Sequence, residues 1–333
     1  MGVIPLLFYT NHKGDLKMIK RRALSIAMGL TVALGASGVS GMAHAEETYI
    51  PLVSKGFQHQ FWQAVKAGAM QASKDYNVKV TFEGPETEAM VDKQIDMLSA
   101  ALAKKPKAIG FAALDSKAAL PLLKKAQAAK IPVIAFDSGV DSDIPATTAT
   151  TDNKAAAALA ADKMAELVGK EGEVAVVAHD QTSRTGIDRR DGFVERIKTA
   201  YPKIKIVSIQ YGGGDQLKST EITKSILQAY PNLKGAFGTN EGSAIGVLNG
   251  AKEMKRKLVI IGYDSGKQQK DAIRDGAMAG AITQNPVGIG YKTVEAAVKA
   301  LKGEKLPKVI DTGFYWYDKG NISDPKIAAV LYD

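Results

Sequence analysis

From Thr48 onward, short apolar runs alternate with segments in which apolar residues recur every three or four positions. The runs are Tyr49–Ser54, Val78–Glu83, Ala108–Leu114, Pro132–Asp137, Glu173–His179, Ile204–Gln210, Leu233–Thr239, Leu258–Tyr263 and Ala279–Gln284. Between them Phe61, Trp62, Val65, Ala69, Ala72 and Tyr76 keep helical spacing, as do Ile95, Leu98, Ala101 and Leu102, and Leu120, Leu123 and Ala126. Strands alternating with helical segments form βαβ units, with parallel pairing and right-handed crossovers. Near-continuous apolar strands are those covered on both faces. The pattern predicts an α/β protein built on doubly wound parallel sheets.

Nine or ten such strands are many for one sheet, and two sheets are more natural. The elements from Thr48 to Asp152 match in number those from Glu173 to Asp264, so the chain reads as two similar lobes. No low-complexity tether separates them. That predicts several short crossings acting as a hinge.

Open parallel sheets bind ligands beyond the carboxyl ends of their strands. Polar residues stand at those ends: Ser54 and Lys55, Asp115, Asp137 and Ser138, His179 and Asp180, Asn240 and Glu241, Asp264 and Ser265, Gln284 and Asn285. Turn chemistry and helix capping also place polar residues there, and explain any one of them taken alone. As a set, Asp137, Asn240, Asp264 and Gln284, each directly after an apolar strand, point to a site.

Amides and carboxylates can satisfy sugar hydroxyls, which cost roughly 1–3 kcal/mol each if buried unpaired. Aromatic faces cover the C–H surfaces of a sugar ring. Phe57, Phe61 and Trp62 cluster after the first strand. The plainer reading is that Phe61 and Trp62 open an amphipathic helix and pack into the core, and one of the two is expected to do so. Arg189 and Arg190, by themselves, read as solvated helix residues.

Composition narrows the class. The 333 residues are 45% hydrophobic and 24% charged, ordinary for one large or two medium globular domains. The absence of cysteine excludes disulfides, thiolate metal sites and a cysteine nucleophile. Lys20-Arg21-Arg22, an apolar stretch from Ala23 to Gly41, and Ala43-His44-Ala45 form a secretory leader, with cleavage expected between Ala45 and Glu46. Its Gly and Ser content and its cleavage site argue against an uncleaved anchor. Met18 is read as the true start, with Met1 the alternative. Residues 1–45 carry five basic and one acidic side chain, so of the formal +9 only +5 remains on the mature chain. That charge is mild and scattered, so no nucleic acid is expected. Without cysteine after the leader no lipid anchor is expected, which leaves a protein free in the periplasm.

Enzyme signatures are thin. His59 and His179 show no metal spacing. Gly212-Gly213-Gly214 lacks the Gly-Lys-Ser/Thr of a phosphate loop, and no serine sits in a nucleophile elbow. No catalysis, metal or cofactor is expected.

Six stretches in order carry a resemblance: Ser54–Trp62 (SKGFQHQFW), Val133–Asp137 (VIAFD), Gly186–Phe193 (GIDRRDGF), Ala236–Asn240 (AFGTN), Val259–Asp264 (VIIGYD) and Ala281–Pro286 (AITQNP). Over about residues 48–320 the chain resembles the type I periplasmic sugar-binding proteins of ABC importers, most closely the ribose-binding kind. The resemblance implies that Phe61 and Trp62 stack on a sugar, and that His59 binds where an amide is usual. It assigns Asp137, Arg189, Asn240, Asp264 and Gln284 to the sugar hydroxyls. Two departures stand out. Ser138 follows Asp137 where the pattern has arginine, and Gly214 occupies the place of the second lobe's stacking aromatic. The ligand is therefore expected to differ from ribose, with a hexose, a polyol or another pentose all open.

The same resemblance implies three hinge crossings. One lobe would comprise 46–151 plus 285–311, the other 152–284 plus 312–333. It implies hinge-bending capture and delivery to a membrane permease, by a protein that is by default a monomer. A sensory module passing the closed state to a chemoreceptor or sensor kinase would use the same residues.

Overall fold

The computed structural model describes residues 47–333; the expected leader, its expected cleavage after Ala45 and the two candidate start residues lie outside them. The first lobe opens with β1 (Tyr49–Val53), α1 (Gln60–Asp75), β2 (Lys79–Glu83), α2 (Val91–Ala103), β3 (Ile109–Phe111), α3 (Leu120–Ala128), β4 (Val133–Phe136) and β5 (Thr147–Thr150). The chain then builds a second lobe from α4 (Asn153–Val168), β6 (Gly172–Ala178), α5 (Arg184–Ala200), β7 (Ile204–Tyr211), α6 (Gln216–Ala229), β8 (Leu233–Gly238), α7 (Glu241–Glu253), β9 (Val259–Tyr263), α8 (Lys267–Arg274) and β10 (Gly280–Gln284). It closes with α9 (Pro286–Leu301), β11 (Val309–Asp311), β12 (Phe314–Tyr317) and α10 (Pro325–Ala328).

These strands form two six-stranded sheets of matching order, β2-β1-β3-β4-β5-β11 and β7-β6-β8-β9-β10-β12. Every pairing is parallel except β10 with β12. Both orders reverse beside their first strand, the arrangement in which βα loops splay apart and leave a crevice. The expected pair of doubly wound lobes is what the chain forms. It passes between the sheets three times: after β5, after β10 and between β11 and β12.

Helices cover both sheet faces, which is why the inner strands β1, β4, β6 and β8 are buried almost without interruption. In the first lobe Ile50, Leu52, Ile134 and Phe136 pack with Trp62 and Val65 of α1 and Ile289 and Val294 of α9. Val53, Ile109 and Phe111 pack on the other face with Leu98 of α2 and Leu123 of α3. In the second lobe α4 presents Ala156, Ala157, Ala160 and Ala161 toward Val174, Val176 and Phe237. Three strands escape the sequence pattern. β5 reads Thr-Thr-Ala-Thr and β11 is a three-residue, largely exposed edge strand, so neither needs a continuous apolar run, whereas β12 is an aromatic run, Phe-Tyr-Trp-Tyr, that pairs antiparallel with β10 outside the βαβ alternation.

Candidate functional site

The carboxyl ends of the strands meet across one chamber, lined by Lys55, His59, Phe61, Trp62, Glu88, Asp137, His179, Thr185, Arg189, Asn240, Asp264 and Gln284. Its side chains nearly fill it, leaving a free volume of about 10 Å³. Of the nine residues singled out from the sequence, eight line it. Ser138 does not, although it is buried, and its Oγ has no hydrogen-bond partner.

Local backbone geometry explains which residues reach inward. Asp137 and Asp264 are the first residues past β4 and β9, and both adopt positive φ, 55° and 76°. That left-handed conformation is costly for a non-glycine residue and recurs where a site demands it. At Asp137 the turn is closed by the Ser138 N–H donating to the Phe136 carbonyl at 2.6 Å. The turn places Asp137 against the chamber and leaves Ser138 beyond the lining.

The other groups are held as firmly. The Arg189 guanidinium is buried, with Nε donating to Asn153 Oδ1 at 2.8 Å and Nη1 to the Thr239 carbonyl at 3.0 Å. Asn240 spends Oδ1 on capping α7, accepting the Ser243 N–H at 2.9 Å, which leaves its Nδ2 facing Glu88 at 3.4 Å. Gln284 joins two crossings: it accepts the Thr151 hydroxyl at 3.0 Å and donates to Asp264 Oδ1 at 2.7 Å. The Tyr317 hydroxyl, at the end of β12, donates to the Asp264 carbonyl at 2.8 Å.

Phe61 and Trp62 form an edge-to-face pair with centroids 5.0 Å apart. Both belong to the first lobe's core and both line the chamber, so the choice between core and site posed by the sequence does not arise. The Trp62 Nε1–H donates to Glu88 Oε1 at 2.8 Å.

Four chamber residues were absent from the sequence selection: Lys55, Glu88, His179 and Thr185. Lys55 and His179 do stand at strand ends, the signal that found the others. Glu88 sits between β2 and α2 in a segment without periodicity, where no such signal exists. Asp115, also at a strand end, uses its carboxylate locally, accepting the N–H groups of Lys117 and Ala118.

Lys55 bridges the lobes. Its Nζ stands 3.1 Å from Thr185 Oγ1, 3.7 Å from Asp180 and 4.0 Å from Glu88. Burial alone would lower its pKa, but the carboxylates of Glu88, Asp180 and Asp137 outweigh both burial and Arg189 and raise it. Burial would likewise raise Glu88, and Lys55 foremost brings it down to about 2. Asp137 goes the other way: burial lifts it to about 6 against the pull of Lys55 and Arg189. Burial lowers His179 to about 3, so its imidazole is neutral, with ring nitrogens 2.8 Å from Thr239 Oγ1 and 3.3 Å from Thr185 Oγ1. The arrangement offers planar donors and acceptors from both lobes beside one aromatic wall.

Gly214 explains the missing second aromatic. It has φ of 70°, and a β-carbon there would lie 2.9 Å from Asn240 Nδ2 and 3.2 Å from Glu88 Oε2. Polar groups already fill the space a stacking ring would need.

The model of the periplasmic binding protein domain matches residues 50–305. The chain belongs to the periplasmic binding protein family. The ribose import binding protein of Salmonella typhimurium is 28% identical over 278 residues, covering 83% of this chain and 91% of the relative. Among solved structures, a carbohydrate transporter solute-binding protein from Agrobacterium radiobacter in complex with D-arabinose superposes with a TM-score of 0.82 at 34% identity. It covers 86% of this chain and 99% of its own. An ABC transporter solute-binding protein from Agrobacterium vitis with bound D-fucose gives 0.82 at 35% identity, covering 85% of this chain and 100% of its own. The members of the family that this chain matches are sugar-binding transport proteins.

Proposed function

We propose that this protein is the periplasmic substrate-binding component of an ABC importer and captures one neutral monosaccharide or polyol by closing two lobes over it. The moving bodies would be residues 46–151 plus 285–311 and residues 152–284 plus 312–333. The observation that carries the reading is the convergence on one small chamber of Asp137 from the first lobe, Arg189, Asn240 and Asp264 from the second, and Gln284 from a crossing. Phe61 and Trp62 supply the apolar wall for a ring's C–H surface. A ligand touching both lobes binds the closed form better than the open one, and that difference in affinity drives closure. The closed surface is then what the permease engages.

The charge balance supports a neutral guest. Glu88, Asp137 and Asp264 face the chamber against Lys55 and Arg189, so a sugar acid would add a negative charge to an acidic excess. The relatives with bound D-arabinose and D-fucose favour pentoses and deoxyhexoses as first candidates. The protein would act as a monomer, exported by cleavage after Ala45. A thermal-shift screen of the mature protein against D-arabinose, D-fucose, D-ribose, hexoses, polyols and sugar acids tests the proposal. One or a few neutral compounds are expected to raise the melting temperature by several degrees. Stabilisation by sugar acids alone, or by nothing in the panel, would overturn it.

A further inference from the structure

Two helix N-termini meet across the cleft outside the chamber. The first turn of a helix leaves N–H groups that need partners. α1 is preceded by His59, whose side chain caps nothing, and α8 by Gly266, which has no side chain to offer. Each helix start faces a polar side chain of the opposite lobe. The Glu241 carboxyl, at the start of α7, faces the backbone N–H groups of Phe61 and Gln60, which pull its pKa down against burial. In return Gln60 Oε1 accepts the Lys267 N–H at 2.8 Å.

The exchange is packed around Gly266. A β-carbon there would stand 2.5 Å from Glu241 Oε1 and 2.9 Å from Gln60 Oε1. It is also tied to the chamber, because the Glu241 N–H donates to Asp264 Oδ2 at 3.1 Å. Neither Gln60 nor Glu241 lines the chamber; both line a separate open groove.

We propose that this contact between the two helix starts is a clasp, and that Gln60 and Glu241 are positioning residues that set how firmly the lobes stay closed and how fast a captured sugar leaves. It rests on the hinge-closure reading given above. These contacts join residues about 180–210 positions apart in sequence, and opening the cleft breaks them together. Either helix, once parted, has only water to satisfy its first turn. The clasp therefore favours the closed form whatever the ligand's identity.

The test separates the clasp from sugar recognition. The chain has no cysteine, so spin labels at Lys66→Cys on α1 and Lys252→Cys on α7, both exposed, report the distance between the lobes. Without sugar, Glu241→Ala and Gln60→Ala should each reduce the short-distance population about threefold or more, with no fall in melting temperature beyond a few degrees. Glu241→Gln keeps an acceptor oxygen, and burial with Asp264 already raises this carboxyl to about 7, so it should restore most of that population. In stopped-flow displacement, D-arabinose should leave Glu241→Ala about tenfold faster than the parent. A ligand-free distance distribution unchanged in both alanine variants overturns the clasp. Failure of the parent to bind D-arabinose or any other compound in the panel overturns the sugar reading instead, while the clasp still stands or falls on the ligand-free distances.

Discussion

The Arg189 guanidinium lies over the Tyr263 ring, its central carbon 3.8 Å from the ring centroid, and both side chains bond to Asn153 Oδ1, at 2.8 Å and 3.1 Å. A flat, delocalised cation fits between an aromatic face and an amide oxygen in a way that an ammonium does not. Arg189→Lys should therefore weaken sugar binding by about 2 kcal/mol, roughly thirtyfold in Kd. Calorimetry with the sugar selected by the screen checks this. An unchanged Kd would remove Arg189 from the site.

Lys55 is the buried cation that pairs with Glu88 on its own lobe and with Asp180 across the cleft. Removing one partner of a buried ion pair strands the other, at a cost of about 3–5 kcal/mol. Lys55→Ala is expected to lower both the melting temperature and the affinity. Adding Glu88→Gln should recover part of the loss, about 1–2 kcal/mol of coupling in a double-mutant cycle. Strict additivity of the two substitutions would contradict the pairing.

Asp137 makes the ligand-free closed form sensitive to pH. Its carboxyl is raised by burial from an ordinary 3.8 to about 6. A raised acid favours the fold while protonated, so its contribution is complete below pH 4 and is lost as pH rises through 6. Asp137→Asn should melt at nearly the parent's temperature at pH 4 and several degrees higher at pH 7.5. A difference that shrinks as pH rises would reverse the assignment.

Ser138 has a buried hydroxyl with no partner and stands outside the chamber lining. Ser138→Ala removes an unsatisfied polar atom and should leave sugar affinity unchanged while holding or raising the melting temperature. A clear loss of affinity would return Ser138 to the ligand.

Strands, helices and the two-lobe plan are visible in the sequence because they depend on local burial. A strand covered on both faces must be apolar along its length, as in Val174–Ala178, and a helix on one face must repeat every three or four residues, as in α1. The carboxyl ends of those strands follow directly, and with them Asp137, Asn240, Asp264 and Gln284. The direction of a side chain past a strand end depends instead on the turn that follows. Positive φ aims Asp137 at the chamber, whereas Asp115, at an equivalent place in the pattern, caps its own turn. Glu88, the clasp between Gln60 and Glu241, and the crowding at Gly214 are decided by which lobe lies opposite. Those partners are distant in the chain, and only folding brings them within bonding distance.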